Sequence, residues 1–214
     1  MDLIYEAEMK VYEKILDIIS TFSESNISES RKQMLKPLRN LILDRVGNGA
    51  DISLNFICTH NSRRSQFAQI WAQTLSYYFG IQNVFCYSGG TISSSVYPQI
   101  VETLVNQGFE IKTLSTGENP VYGVKYSQYA SPLVCFSKNY NDDFNPKSGF
   151  IAVMTCDHAD GNCPYVDGAE IKLLIEYEDP KCFDQTNMEN EKYRNKSIEI
   201  AQEMWWVLNL KSKE

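Results

Sequence analysis

Between Asp51 and Leu210, short apolar runs alternate with stretches of helical period, which predicts a mostly parallel sheet with helices on both faces. I-S-L-N-F-I (52–57), V-F-C-Y (84–87), S-P-L-V-C-F (131–136), F-I-A-V-M-T (150–155) and I-K-L-L-I-E-Y (171–177) are the expected strands, giving four or five. Between them, residues 65–79 read as a helix closed by Gly80, and 98–107 as a helix stopped by Gly108. A last helix is expected over 190–210, with Ile198, Ala201, Met204, Trp205 and Leu208 on one face. Residues 112–130 show little periodicity and read as a loop or irregular insertion. Ahead of this α/β domain, Leu3, Ile4, Met9, Tyr12, Ile15, Leu16, Ile19 and Phe22 recur at helical spacing. A second helix is expected over 30–46, kinked or restarted at Pro37. The expected division is an N-terminal helical hairpin extension at 1–50 and an α/β domain at 51–214. The hairpin reads either as a packing appendage or as a surface for a partner or second copy.

Composition narrows the classes. The 214 residues are 43% hydrophobic and 22% charged, enough to bury a core. No window approaches the roughly 18 uninterrupted apolar residues of a membrane span. The opening M-D-L-I-Y-E-A-E-M-K breaks its apolar residues with acids, unlike a secretory leader. A net charge of −7, with no basic cluster, argues against nucleic acid as the main partner. An anionic substrate would therefore need a local binding device. The expectation is a soluble, cytoplasmic protein with no membrane partner, whose six cysteines are reduced and catalytic, redox-active or metal-binding rather than structural staples.

One stretch supplies such a device: F-I-C-T-H-N-S-R-R-S (56–65). A strand running into a polar loop and then a helix aims backbone N–H groups at one point, and the helix N-terminus adds partial positive charge there. Cys58 at the start of this cradle is the expected nucleophile, its thiolate stabilised by the same N–H groups. Arg64 can clamp two oxygens of a bound anion. Ser65 can donate a hydrogen bond to the thiolate, and Asn61 suits a left-handed turn in mid-loop. The bland alternative is an inert Cys58 at a strand end, with Arg63 and Arg64 as surface cations.

C-T-H-N-S-R-R-S-Q-F-A resembles the active-site loop of the low-molecular-weight protein tyrosine phosphatase superfamily, usually C-x-G-N-x-C-R-S-x-x-A-E. That superfamily also contains the thioredoxin-coupled arsenate reductases. Cys58, Asn61, Arg64, Ser65 and Ala68 match. The resemblance implies an oxyanion-binding loop of Thr59, His60, Asn61, Ser62, Arg63 and Ser65. His60 stands where Gly is usual. Gln69 stands where the Glu of a potassium site found in some reductases would be. Y-S-G-G-T (87–91) is similar to the family's S-x-G-T segment, which implies that Ser88 braces the loop.

A-V-M-T-C-D-H-A-D-G-N-C-P (152–164) resembles the redox segment of the thioredoxin-coupled reductases, with Cys156 and Cys163 as its second and third cysteines. Two unrelated thiols near a turn, or zinc held by Cys156, His158 and Cys163, are the alternatives. Y-E-D-P (177–180) follows a strand and matches the family's D-P loop, which makes Asp179 the general acid and leaves Glu178 solvated. Lys181 and Cys182 then replace the aromatic wall of a phosphotyrosine slot, which suits a small oxyanion. Cys86 and Cys135 lie in strand patterns as core residues, and Cys182 has no evident role. By resemblance, Cys58 attacks arsenate, Cys156 resolves the adduct, and Cys163 passes the disulfide to thioredoxin, with no bound cofactor. The alternative is a phosphatase acting through a cysteinyl-phosphate.

Overall fold

The computed structural model describes residues 10–156 and 165–210. Among the described residues two helices come first, α1 (Glu13–Ser20) and α2 (Glu29–Gly47), while Leu3, Ile4 and Met9 of the expected first helix lie outside the described residues. The α/β part follows with β1 (Ile52–Cys58), α3 (Arg64–Tyr78), β2 (Val84–Gly90) and α4 (Pro98–Asn106). Then come β3 (Glu110–Ser115), β4 (Val121–Lys125), β5 (Leu133–Cys135), β6 (Phe150–Met154), β7 (Ala169–Leu174) and α5 (Glu189–Leu208).

Strands β2-β1-β6-β7 form a four-stranded sheet paired in parallel throughout. Period-two alternation divides β6 between its two faces. Ile151 and Val153 join the main core, while Phe150, Ala152 and Met154 join a smaller cluster with Ile57, Cys58 and Cys156. Strands β1 and β6 are the two inner strands, so the C-terminal end of β1 at Cys58 and that of β6, two residues before Cys156, are held from each side.

The expected loop at 112–130 is instead two strands. β3 and β4 pair antiparallel, β4 pairs with β5, and the three form a separate small sheet. Five of the six β3 residues are exposed, so the strand carries no buried apolar alternation to read. The stretch at 131–136 therefore belongs to this second sheet and not to the parallel one.

Pro37 lies within α2, which runs unbroken through it. The hairpin has no core of its own. Ile15, Ile19, Phe22, Leu35, Leu38 and Ile42 are buried in the same cluster as Trp71 of α3 and Trp206 of α5. Phe22 packs edge-on against Trp71 and Trp205, at 6.5 and 6.3 Å between ring centroids. Arg39 donates to the Trp206 carbonyl and lies over its ring. Among the described residues, no helix is long and apolar enough to cross a membrane.

Candidate active site

The loop after β1 is shaped by where its carbonyls go. The Cys58 oxygen accepts from the Thr91 amide, the Thr59 oxygen from the Ile92 amide, and the Ser62 oxygen from the Tyr97 amide. His60 O accepts from Ser137 Oγ at 2.8 Å, and Asn61 O from Gln66 Nε2 at 2.9 Å. With five consecutive carbonyls tied outward, the peptide planes turn their amides inward. Among the described residues, none of the backbone N–H groups from Thr59 to Ser65 finds an acceptor. Unpaired amides at a helix start are the groups an oxyanion site needs.

Asn61 has the left-handed backbone expected of it, at φ 48°. Its Nδ2 donates to Ser65 Oγ at 2.9 Å, and Ser65 Oγ lies 3.1 Å from Cys58 Sγ. Cys58 is 3% exposed at the floor of the loop. The Lys138 amide donates to Asn61 Oδ1 at 3.0 Å, so the segment after β5 holds the turn from behind. Two glycines of the S-G-G-T stretch make this closeness possible. A Cβ on Gly90 would lie 2.3 Å from Ile92 O and 2.8 Å from the Asn61 amide nitrogen, and one on Gly89 would lie 2.3 Å from Tyr140 Cα.

The bracing expected of Ser88 falls elsewhere. Ser88 Oγ is buried without a hydrogen-bond partner among the described residues. Ser137, Lys138, Gln66 and Thr91 hold the loop, and of these Ser137 and Lys138 lie in no motif. The Arg63 side chain also leaves the loop. It donates to Tyr193 Oη at 2.6 Å, pairs with Asp184, and stacks over the Tyr97 ring at 4.2 Å. Arg63 thus gives the anion site only its backbone, while its guanidinium ties the loop to α5.

Arg64 faces the site. Its Nη2 meets Asp179 Oδ2 at 2.5 Å and its Nη1 donates to the Tyr177 carbonyl at 2.9 Å. Asp179 caps the short 3-10 turn Pro180–Phe183 by accepting the Lys181 amide. The clamp and the expected acid are therefore in contact, and both line a cavity of about 1040 Å³ with Thr59, His60, Lys181 and Cys182. Glu178 is exposed, as expected.

Cys156 lies two residues past β6, beside the loop. It is 1% exposed, and its Sγ lies 3.5 Å from Thr59 Oγ1. It shares the smaller apolar cluster with Cys58. His158 and Cys163 lie outside the described residues, so the zinc alternative and the third cysteine fall there too. Among the described residues, no group of three His, Cys, Asp or Glu side chains is placed to hold a metal. The position that would give a potassium site its carboxylate holds Gln69, buried, with Oε1 unpartnered among the described residues. A neutral amide does not supply that charge.

Residues 53–120 match the family model described as low molecular weight phosphotyrosine protein phosphatase. A low molecular weight protein tyrosine phosphatase from T. tengcongensis is 17% identical, with a TM-score of 0.50 over 72% of this chain and 95% of that one. The chain has the fold of the low-molecular-weight phosphatases. A second such phosphatase, from Vibrio cholerae O395, is 15% identical over 73% of this chain and 94% of its own, at a TM-score of 0.49. An arsenate reductase in the phosphate binding state is 17% identical over 73% and 96%, at 0.46. No curated protein sequence matched the chain. At these identities the phosphatase-like likeness establishes architecture and leaves the chemistry to the residues themselves.

Proposed function

We propose that this protein reduces arsenate to arsenite by a cysteine relay coupled to thioredoxin. The observation that carries this reading is the second thiol. Cys156 lies two residues past the strand that pairs with β1, its Sγ 3.5 Å from Thr59 Oγ1 of the loop, where ester hydrolysis has no use for it.

In the proposed cycle, HAsO₄²⁻ sits among the loop amides with Arg64 across two of its oxygens. The Cys58 thiolate attacks arsenic as an oxygen leaves as water, with Asp179 supplying a proton, giving a Cys58–S–As(V) adduct. The Cys156 thiolate then attacks Cys58 Sγ. The S–As electron pair stays on arsenic, which departs as arsenite, and a Cys58–Cys156 disulfide forms. Cys163 attacks Cys156 Sγ, freeing the Cys58 thiolate. The Cys156–Cys163 disulfide is reduced by the thioredoxin dithiol, which is itself oxidised.

The test is NADPH oxidation with arsenate, thioredoxin and thioredoxin reductase, followed by disulfide mapping after one turnover. Arsenate-dependent oxidation and a Cys156–Cys163 disulfide are expected. An absence of turnover above background rejects the reading.

The contact between Arg64 and Asp179 favours a second reading, phosphate-ester hydrolysis through a cysteinyl-phosphate, because a general acid beside the clamp suits an alkoxide leaving group. Cys163→Ser separates the two. It abolishes multi-turnover arsenate reduction and spares ester hydrolysis.

A further inference from the structure

The region matched by the family model begins at residue 53. Yet a cation from α2 of the preceding extension reaches the same cavity as Arg64 and Asp179. Arg31 Nε and Nη2 grip both carboxylate oxygens of Glu203 on α5, at 2.6 and 2.9 Å. Held this way, its guanidinium carbon lies 4.8 Å from the centroid of the Tyr177 ring. Tyr177 is 4% exposed, and its backbone is committed in two directions. Its N–H donates to Thr155 O, beside Cys156, and its carbonyl accepts from Arg64. Two residues on, Asp179 meets the other arm of that same guanidinium. Asp179 also precedes Pro180, which confines it to extended backbone; its φ and ψ are −74° and 120°.

A hairpin serving only as packing would be held at least as well by an apolar pair, since a largely buried ion pair recovers little beyond its own desolvation. What a planar cation adds is a flat, fixed lid on the Tyr177 ring. We infer that Arg31 is a positioning residue for Asp179, acting through Tyr177. The inference rests on the proposed reading only in taking Asp179 as the proton donor.

The experiment uses the full chain carrying Arg31→Met or Arg31→Lys, each alone and combined with Asp179→Asn. Turnover is followed with arsenate and the thioredoxin system, and separately with p-nitrophenyl phosphate. A second readout is the concentration of inorganic phosphate that halves iodoacetamide labelling of Cys58.

Arg31→Met is expected to lower kcat about tenfold while KM moves no more than about threefold, because the loss lies in proton donation. Arg31→Lys keeps a cation for Glu203 and loses about threefold. Half-protection by phosphate shifts to about threefold lower concentration, because a displaced Asp179 competes less for Arg64. All of these effects vanish in the Asp179→Asn background, the signature of one residue acting through the other.

Equal fold-losses in both backgrounds, or no loss, overturn the inference. If Arg31→Met does not fold, Arg31→Lys carries the same comparison. A wild type that turns over neither substrate overturns the proposed function. The phosphate readout then decides Arg31 alone, and an unchanged half-protection concentration overturns the inference as well.

Discussion

Cys58 and Cys156 are 3% and 1% exposed, and Cys86 and Cys135 are 4% and 2%. Burial does not separate the two pairs; their surroundings do. Cys86 and Cys135 sit in the main core, where burial pushes the Cys86 thiol well up and the Cys135 thiol up to about 12. They stay protonated and inert at neutral pH. Cys58 ends its strand among unpaired amides with the Ser65 hydroxyl at 3.1 Å, and Cys156 has the Thr59 hydroxyl at 3.5 Å. What sets Cys58 and Cys156 apart is the loop hydroxyls beside them, not exposure. Removing those donors, or the thiols themselves, tests the contrast.

The sharpest break comes from substituting one sulfur of each pair. Cys58→Ser is expected to lower turnover about 10⁴-fold or more, since no other group can replace the nucleophile. Cys86→Ser should leave turnover within about twofold and cost ~1–3 kcal/mol of stability from a buried, poorly satisfied hydroxyl. Steady-state kinetics and urea unfolding of the two variants check this. Comparable loss of turnover in both would erase the distinction.

Asp179→Asn is expected to cut kcat about 10²-fold while inorganic phosphate binds more tightly, because Arg64 no longer holds an internal carboxylate. Inhibition constants for phosphate report the second effect.

The Ser137 hydroxyl donates to His60 O and accepts from the Ser94 amide. Ser137→Ala should cost ~1 kcal/mol, about a fivefold weaker hold on phosphate, by relaxing the outward pull on the loop carbonyl.

The last effect is on stability alone and leaves turnover untouched. Burial between Phe136 and Phe144 pushes Lys138 down to about 8 from an ordinary 10.5. Between those values the unfolded chain holds a proton that the folded chain has shed, so stability rises with pH across the window. Below pH 8 the cost of the buried charge is fully present. The rise, on the order of 3 kcal/mol, should disappear in Lys138→Met when unfolding is followed between pH 7.5 and 10.5.

What could be read from the chain and what could not follow the same division. The loop from Cys58 to Ser65 was legible because its chemistry is packed into consecutive residues, down to the left-handed Asn61. Strands β1, β2 and β6 of the parallel sheet and the helices after β1, β2 and β7 were legible because they bury patterned faces, and β7 was legible from an apolar run whose buried members, Ile175 and Tyr177, lie just past it. The sheet at 110–135 was not, because β3 shows solvent nearly all its residues. The groups that hold the loop from behind, Ser137 and Lys138, act across more than 70 residues of sequence and carry no motif. Ser88 was picked by its place in a motif, yet the lasting features of that stretch are Gly89 and Gly90, which let the backbones touch.

The central claim is that the loop amides and Arg64 hold an oxyanion against Cys58, whose sulfur attacks it. Iodoacetamide labelling of the native protein at pH 7, with each cysteine followed by mass spectrometry, tests it most directly. The account predicts that Cys58 is alkylated faster than the exposed Cys182, that inorganic phosphate suppresses Cys58 alone, and that Cys86 and Cys135 stay unlabelled until unfolding. A Cys58 no faster than Cys182 and indifferent to phosphate would contradict it.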